Sequence, residues 1–130
     1  MSQSAMNLCK NFGVVHGRDV FLMDILTGDF GSGEFDLVFS AGMLEHFENM
    51  TPFVEKMSKI SNNYVLLIQP NHFSLWNKLV RKTAGEPVKE YSYSIEDFKK
   101  AFEKYGFKLT FQHSFNFNEQ FALLFEKSRM

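Results

Sequence analysis

Gly33-Glu-Phe-Asp-Leu-Val-Phe-Ser-Ala-Gly-Met-Leu-Glu-His46 is the stretch that decides the fold of this chain. Phe35 to Ser40 is a short apolar run of the kind that forms a strand covered on both faces. It ends in Ala41-Gly42, small residues that leave the backbone approachable beside a strand end. His46 follows closely, and imidazole is the side chain that exchanges protons near neutral pH. Strand, small turn and ionisable group in that order describe the carboxyl edge of a sheet, where open α/β folds bind ligands.

Working outward, the pattern extends the sheet on both sides. Upstream, Asp19 to Leu26 is another nearly continuous apolar run and is expected to be a strand, with Gly28 to Gly33 as a loop. A helix is expected over Ser4 to Phe12, stopped by Gly13. Downstream, a helix is expected with Thr51 as its N-cap, Pro52 at its first position and Phe53, Val54, Met57 and Ile60 on its face. Asn62-Asn63 is expected to make the reversal into the strongest strand, Tyr64 to Ile68, which ends at Gln69-Pro70-Asn71. Phe73, Leu75, Trp76, Leu79 and Val80 predict a short amphipathic helix. Ser94 and Asp97 form a capping-box pattern, with Tyr93 placed to staple onto Phe98. That helix is stopped by Gly106. Phe107, Leu109 and Phe111 alternate with polar residues, a strand with one wet face, and Phe121 to Phe125 returns beside it like a hairpin. Alternating strands and helices of this kind make an α/β sheet, largely parallel with an antiparallel C-terminal strand.

The 130 residues suffice for one domain. Fourteen basic and fifteen acidic side chains leave a net charge of -1, which carries no electrostatic footprint for nucleic acid or anionic membrane. No apolar run approaches the roughly 20 residues of a membrane helix, and the N-terminus lacks a signal-peptide core. A cytoplasmic location is therefore expected. The single cysteine, Cys9, cannot close an internal disulfide, and the four histidines lack metal-ligand spacing, so no metal site is expected. Sixteen phenylalanines are unusual for this length, and core packing is their expected role.

Four segments in order resemble the class I S-adenosylmethionine-dependent methyltransferases of small-molecule type. The opening stretch is similar to that family's strand-four segment running into Leu-Glu-His. Met23-Asp24-Ile25-Leu26 resembles its strand-three end, and Tyr64 to Asn71 its fifth strand running into Pro-Asn. Tyr93 to Phe98 with Tyr105-Gly-Phe107 resembles its late helix-to-strand junction. The resemblance implies a partial Rossmann-like methyltransferase sheet, with residues 1–130 corresponding to the C-terminal two-thirds of that domain. It implies S-adenosylmethionine as cofactor and a small molecule as methyl acceptor. Asp24 and Ile25 would hold the adenine, Ser40, Ala41 and Gly42 would flank the cofactor, and His46 would be the catalytic acid–base group. His72, Tyr91 and Tyr93 come from the segment that lines the acceptor pocket. Glu45 is expected to face solvent or cap a turn.

One departure is substantial. The family's first strand, glycine-rich loop and ribose-binding acid have no counterpart, and Gly31-Ser-Gly33 precedes a strand rather than a helix. The remaining alternatives are a methyltransferase whose missing N-terminal segment is supplied from outside these residues, a non-catalytic methyltransferase-like binding module, and an unrelated α/β protein that uses the same strand-end geometry for another ligand. The strand at Val20 to Leu26 would lack its family neighbours, so direct pairing with Phe35 to Val38, or a homodimer across that edge, is expected.

Overall fold

A computed structural model describes residues 3–13, 21, 23–84 and 89–129. The elements are helix α1 (Gln3–Asn11), strand β1 (Phe35–Ala41), a 3-10 turn at Leu44–His46, helix α2 (Thr51–Ile60) and strand β2 (Ser61–Pro70). Helix α3 (Leu75–Ala84), helix α4 (Ile95–Glu103), strand β3 (Phe107–Phe115) and strand β4 (Gln120–Lys127) complete the order. The strands form one sheet in the order β1-β2-β4-β3. β1 and β2 are parallel, while β4 runs antiparallel to β2 and to β3. Three strands therefore point one way and the last one reverses, as the sequence pattern predicts.

Parity along the strands sets the core. Val65 and Leu67 of β2, Phe121, Leu123 and Phe125 of β4, and Phe107 of β3 are buried. They meet Phe53, Val54 and Met57 of α2 and Phe98 and Phe102 of α4 in a single cluster. Phe102 stacks on Phe125 with centroids 4.5 Å apart and meets Phe107 edge-on at 6.3 Å. α4 begins with the expected reciprocal cap: the Ser94 hydroxyl accepts from the Asp97 amide, and the Asp97 carboxylate accepts from the Ser94 amide. Tyr93 packs on Phe98 at 5.7 Å between centroids.

Several expectations are corrected. The described part of Asp19–Leu26, namely Phe21 and Met23 to Leu26, is not a strand; Ile25 to Thr27 is a turn. The Asp24 Oδ1 accepts from the Leu26 amide at 2.7 Å, and its carbonyl accepts from Gly28 at 2.8 Å. The ammonium of Lys56, on α2, donates to the Gly28 carbonyl. These local bonds and the docking on α2 satisfy backbone groups that a strand would have had to pair. Positions 14–20 and 22, including Val20, lie outside the described residues, and so does His16. Among the described residues, β1 stands at the sheet edge with no strand beyond it.

Asn62 and Asn63 lie inside β2 rather than in a reversal. The chain turns at Ser61, whose backbone is already extended, and the two amide side chains donate to Asp36 of β1. A register irregularity between Leu109 and Phe111 flips parity in β3. Phe111 consequently leaves the core face and stacks beside His113 on the opposite face. The phenylalanines divide accordingly. Phe53, Phe98, Phe102, Phe107, Phe121 and Phe125 are core residues, whereas eight others are exposed, among them Phe39 at 67%.

Candidate functional site

The carboxyl ends of β1 and β2 gather most of the expected site residues. Ser40 pairs in register with Leu67 and shares its buried face, whereas Ala41, paired with Ile68, is exposed. Gly42 has φ +59, a left-handed conformation that glycine adopts without penalty. Its amide donates to the Ile68 carbonyl at 2.9 Å, tying the two strand ends together. A Cβ at this position would come within 3.4 Å of a Glu45 carboxylate oxygen.

Glu45 is the largest correction at the site. It is 6% exposed rather than facing solvent, and its Oε2 has no hydrogen-bond partner. Burial pushes its carboxyl above the ordinary carboxylate range, and the carboxylate of Glu90 adds to the effect. Its own backbone amide and the neighbouring His46 oppose the shift. The His46 Nε2 lies 3.9 Å from the Glu45 Oε1, with the imidazole side chain 41% exposed. An accessible imidazole thus stands beside a buried carboxyl.

Residues 89–93 are held to this rim by five polar contacts. The Tyr91 amide donates to the Glu45 carbonyl. The Tyr93 hydroxyl contacts the carbonyls of Phe47 and Glu48, at 2.6 and 2.8 Å. The buried His72 reaches Ser92 through Nδ1 at 3.1 Å and Glu90 through Nε2 at 3.0 Å. His72, Tyr91 and Tyr93 are therefore brought to the same edge as Ser40, Glu45 and His46. Asp24 and Ile25 lie in the turn docked on α2, where the Asp24 carboxylate is engaged locally and Ile25 packs against the core.

Sequence reading missed Gln69, Glu90 and Ser92. Gln69 is 2% exposed, with neither end of its amide hydrogen-bonded. Its signal was parity, since it continues the inward series Val65, Leu67 beyond the apolar run. Ser40 also has an unpartnered hydroxyl. Buried polar groups of this sort are uncommon and cluster where ligands or catalysis require them. Among the described residues, no three His, Cys, Asp or Glu side chains converge as a metal set, and no helix is long and apolar enough to cross a membrane.

Comparison with solved structures defines the fold. Magnesium protoporphyrin IX methyltransferase from Synechocystis PCC 6803, with bound SAH, superposes with a TM-score of 0.66 at 18% identity, covering 82% of this chain and 49% of that one. A SAM-dependent methyltransferase of Thermotoga maritima, described as a possible histamine N-methyltransferase, gives 0.72 at 12% identity, covering 98% and 70%. A SAM-dependent methyltransferase from Methanosarcina mazei gives 0.70 at 11%, covering 97% and 78%. The chain has the fold of the SAM-dependent methyltransferases, and it spans about half the length of the Synechocystis enzyme. Neither protein-family models nor curated proteins give a match.

Proposed function

We propose that this chain is the acceptor-side part of a class I methyltransferase domain that uses S-adenosylmethionine to methylate a small molecule. The observation that carries this reading is the rim itself: Ser40, Gly42, Glu45, His46, Gln69 and His72 converge at the carboxyl end of a sheet whose fold is that of methyltransferases. The residues fit one side of such a cofactor. Gly42 keeps the backbone approachable, and the orphaned Ser40 hydroxyl offers a polar group at the strand end. They do not fit the ribose and methionine side. The amides of Gly31 and Gly33 are committed to Glu34 and to the Lys59 carbonyl, so this loop cannot serve as a phosphate- or methionine-cradling turn. Those contacts, and a strand to cover the β1 edge, would come from polypeptide outside these residues or from a second copy.

The cofactor would supply a sulfonium-activated methyl group. The protein's share is alignment of the acceptor, which can lower a barrier greatly without other chemistry. His46 would accept the acceptor's proton, and Glu45 would hold the resulting imidazolium by charge.

The test is the perturbation of backbone amide signals by adenosine added to the isolated chain. With ribose and methionine contacts absent, each unpaired polar group costs about 1–3 kcal/mol, so binding in the millimolar range is expected. Shifts confined to Asp24, Ile25 and Ser40 to Gly42 support the reading. Saturating adenosine that moves none of these amides overturns it.

A further inference from the structure

His72, one of the rim residues, also meets Ser92 and Glu90 in a geometry that methyl transfer does not require. His72 is buried at the end of β2, while Ser92 is exposed on the strap that crosses it. The His72 Nδ1 stands 3.1 Å from the Ser92 hydroxyl oxygen, and its Nε2 stands 3.0 Å from a Glu90 carboxylate oxygen. With the imidazole proton on Nε2, the side of the carboxylate, Nδ1 is the acceptor. The Ser92 hydroxyl then donates to Nδ1. This is the arrangement by which a serine is activated: hydroxyl, base within hydrogen-bond reach, and a carboxylate fixing the base's tautomer. Ser92 also opens onto a cleft of about 380 Å3 shared with Thr51, Tyr93, Lys100 and Lys104. Ser92 itself is exposed to solvent.

We propose that Ser92, His72 and Glu90 form a second site, an activated serine that takes acyl groups from small esters. In the forward step the Ser92 oxygen forms a bond to the ester carbonyl carbon, and its proton passes to the His72 Nδ1. The carbonyl–alkoxy bond breaks, and the departing alkoxide takes that proton from His72 and leaves as the alcohol. Water then attacks the acyl-serine by the same proton route, releasing the carboxylic acid and restoring Ser92. Glu90 acts only through His72, as a positioning residue.

The experiment is labelling of the intact chain with a fluorophosphonate, read by mass and peptide mapping, with p-nitrophenyl acetate hydrolysis alongside. One adduct at Ser92, absent in S92A, is expected. H72N should slow labelling at least 10²-fold, the lower end of what a general base contributes. E90A should slow it as well, and E90D should restore it. Because H72N removes a buried group and can disturb the fold, S92C supplies a second measurement. It should react with iodoacetamide about ten-fold faster than free cysteine at neutral pH, as a thiol beside an imidazole does. Labelling spread over other hydroxyls, or S92C reacting no faster than free cysteine, overturns the proposal. Adenosine-induced shifts at Asp24, Ile25 and Ser40 to Gly42 should be the same in S92A, so this proposal and the methyltransferase reading fail separately.

Discussion

Replacing Glu45 by Gln tests whether the buried carboxyl at the rim is a burden on the fold. Glu45 is nine-tenths buried, with one oxygen lacking a partner. Burial is the largest cause of its raised pKa, reinforced by Glu90. A group whose folded pKa is raised contributes stability that is fully present below its unfolded value and lost as pH rises through the folded one. The wild-type chain should therefore lose stability relative to E45Q between acid and neutral pH. A buried group left unpaired costs about 1–3 kcal/mol. Because the glutamine amide is neutral but still incompletely paired, E45Q should gain about 1 kcal/mol at neutral pH, roughly 3–6 °C in Tm for a domain of this size. Urea titrations of both proteins near pH 4 and near pH 7.5 measure this, and taking the difference cancels carboxylates common to both. A smaller or absent gain near pH 4 is expected. If E45Q were less stable than wild type at neutral pH, or equally shifted at both, an attractive partner would be holding the carboxylate and the reasoning would be refuted.

Other outcomes follow from the same structure. Ser94→Ala should destabilise the chain by about 1 kcal/mol in urea titration through loss of the α4 cap. Hydrogen bonds from Ser94 hold the Asp97 carboxyl below its ordinary range, so its stabilisation is present above the unfolded pKa and lost as pH falls through the folded one; in D97N that acid-side loss should be smaller. Asn116, Phe117 and Asn118 all have positive φ in the β3–β4 turn, and Phe117 is 92% exposed there. Phe117→Asn should stabilise by about 0.5–1 kcal/mol, because asparagine tolerates that backbone better than an aromatic. Phe102→Ala removes a ring packed on both Phe107 and Phe125. About 3–5 kcal/mol should be lost, enough for circular dichroism to show a broad or absent unfolding transition.

The sequence by itself determined the elements whose signals are local. The α4 capping box and the β2 apolar run each depend on residues within a few positions of one another, and each stands where the pattern placed it; α2 also begins at Thr51-Pro52, but Thr51 is already its first residue and Met50, not Thr51, is its N-cap. The small residues at the end of β1 were legible for the same reason. Tertiary structure decided whatever depended on a partner distant in sequence. The Asp24 segment carries a strand's apolarity yet makes a turn on α2, because strand formation needs a neighbour to pair with and periodicity does not supply one. Asn62 and Asn63 are turn formers that became strand residues once Asp36 of β1 offered an acceptor. Phe111 left the core because a bulge, which no residue announces, inverted the parity of its strand. The burial of Glu45, and the meeting of Ser92 with His72 across twenty residues, depend on how the strap at 89–93 crosses the sheet's carboxyl edge. That crossing is fixed by packing and by bonds to the rim, and neither is written in the spacing of any one segment.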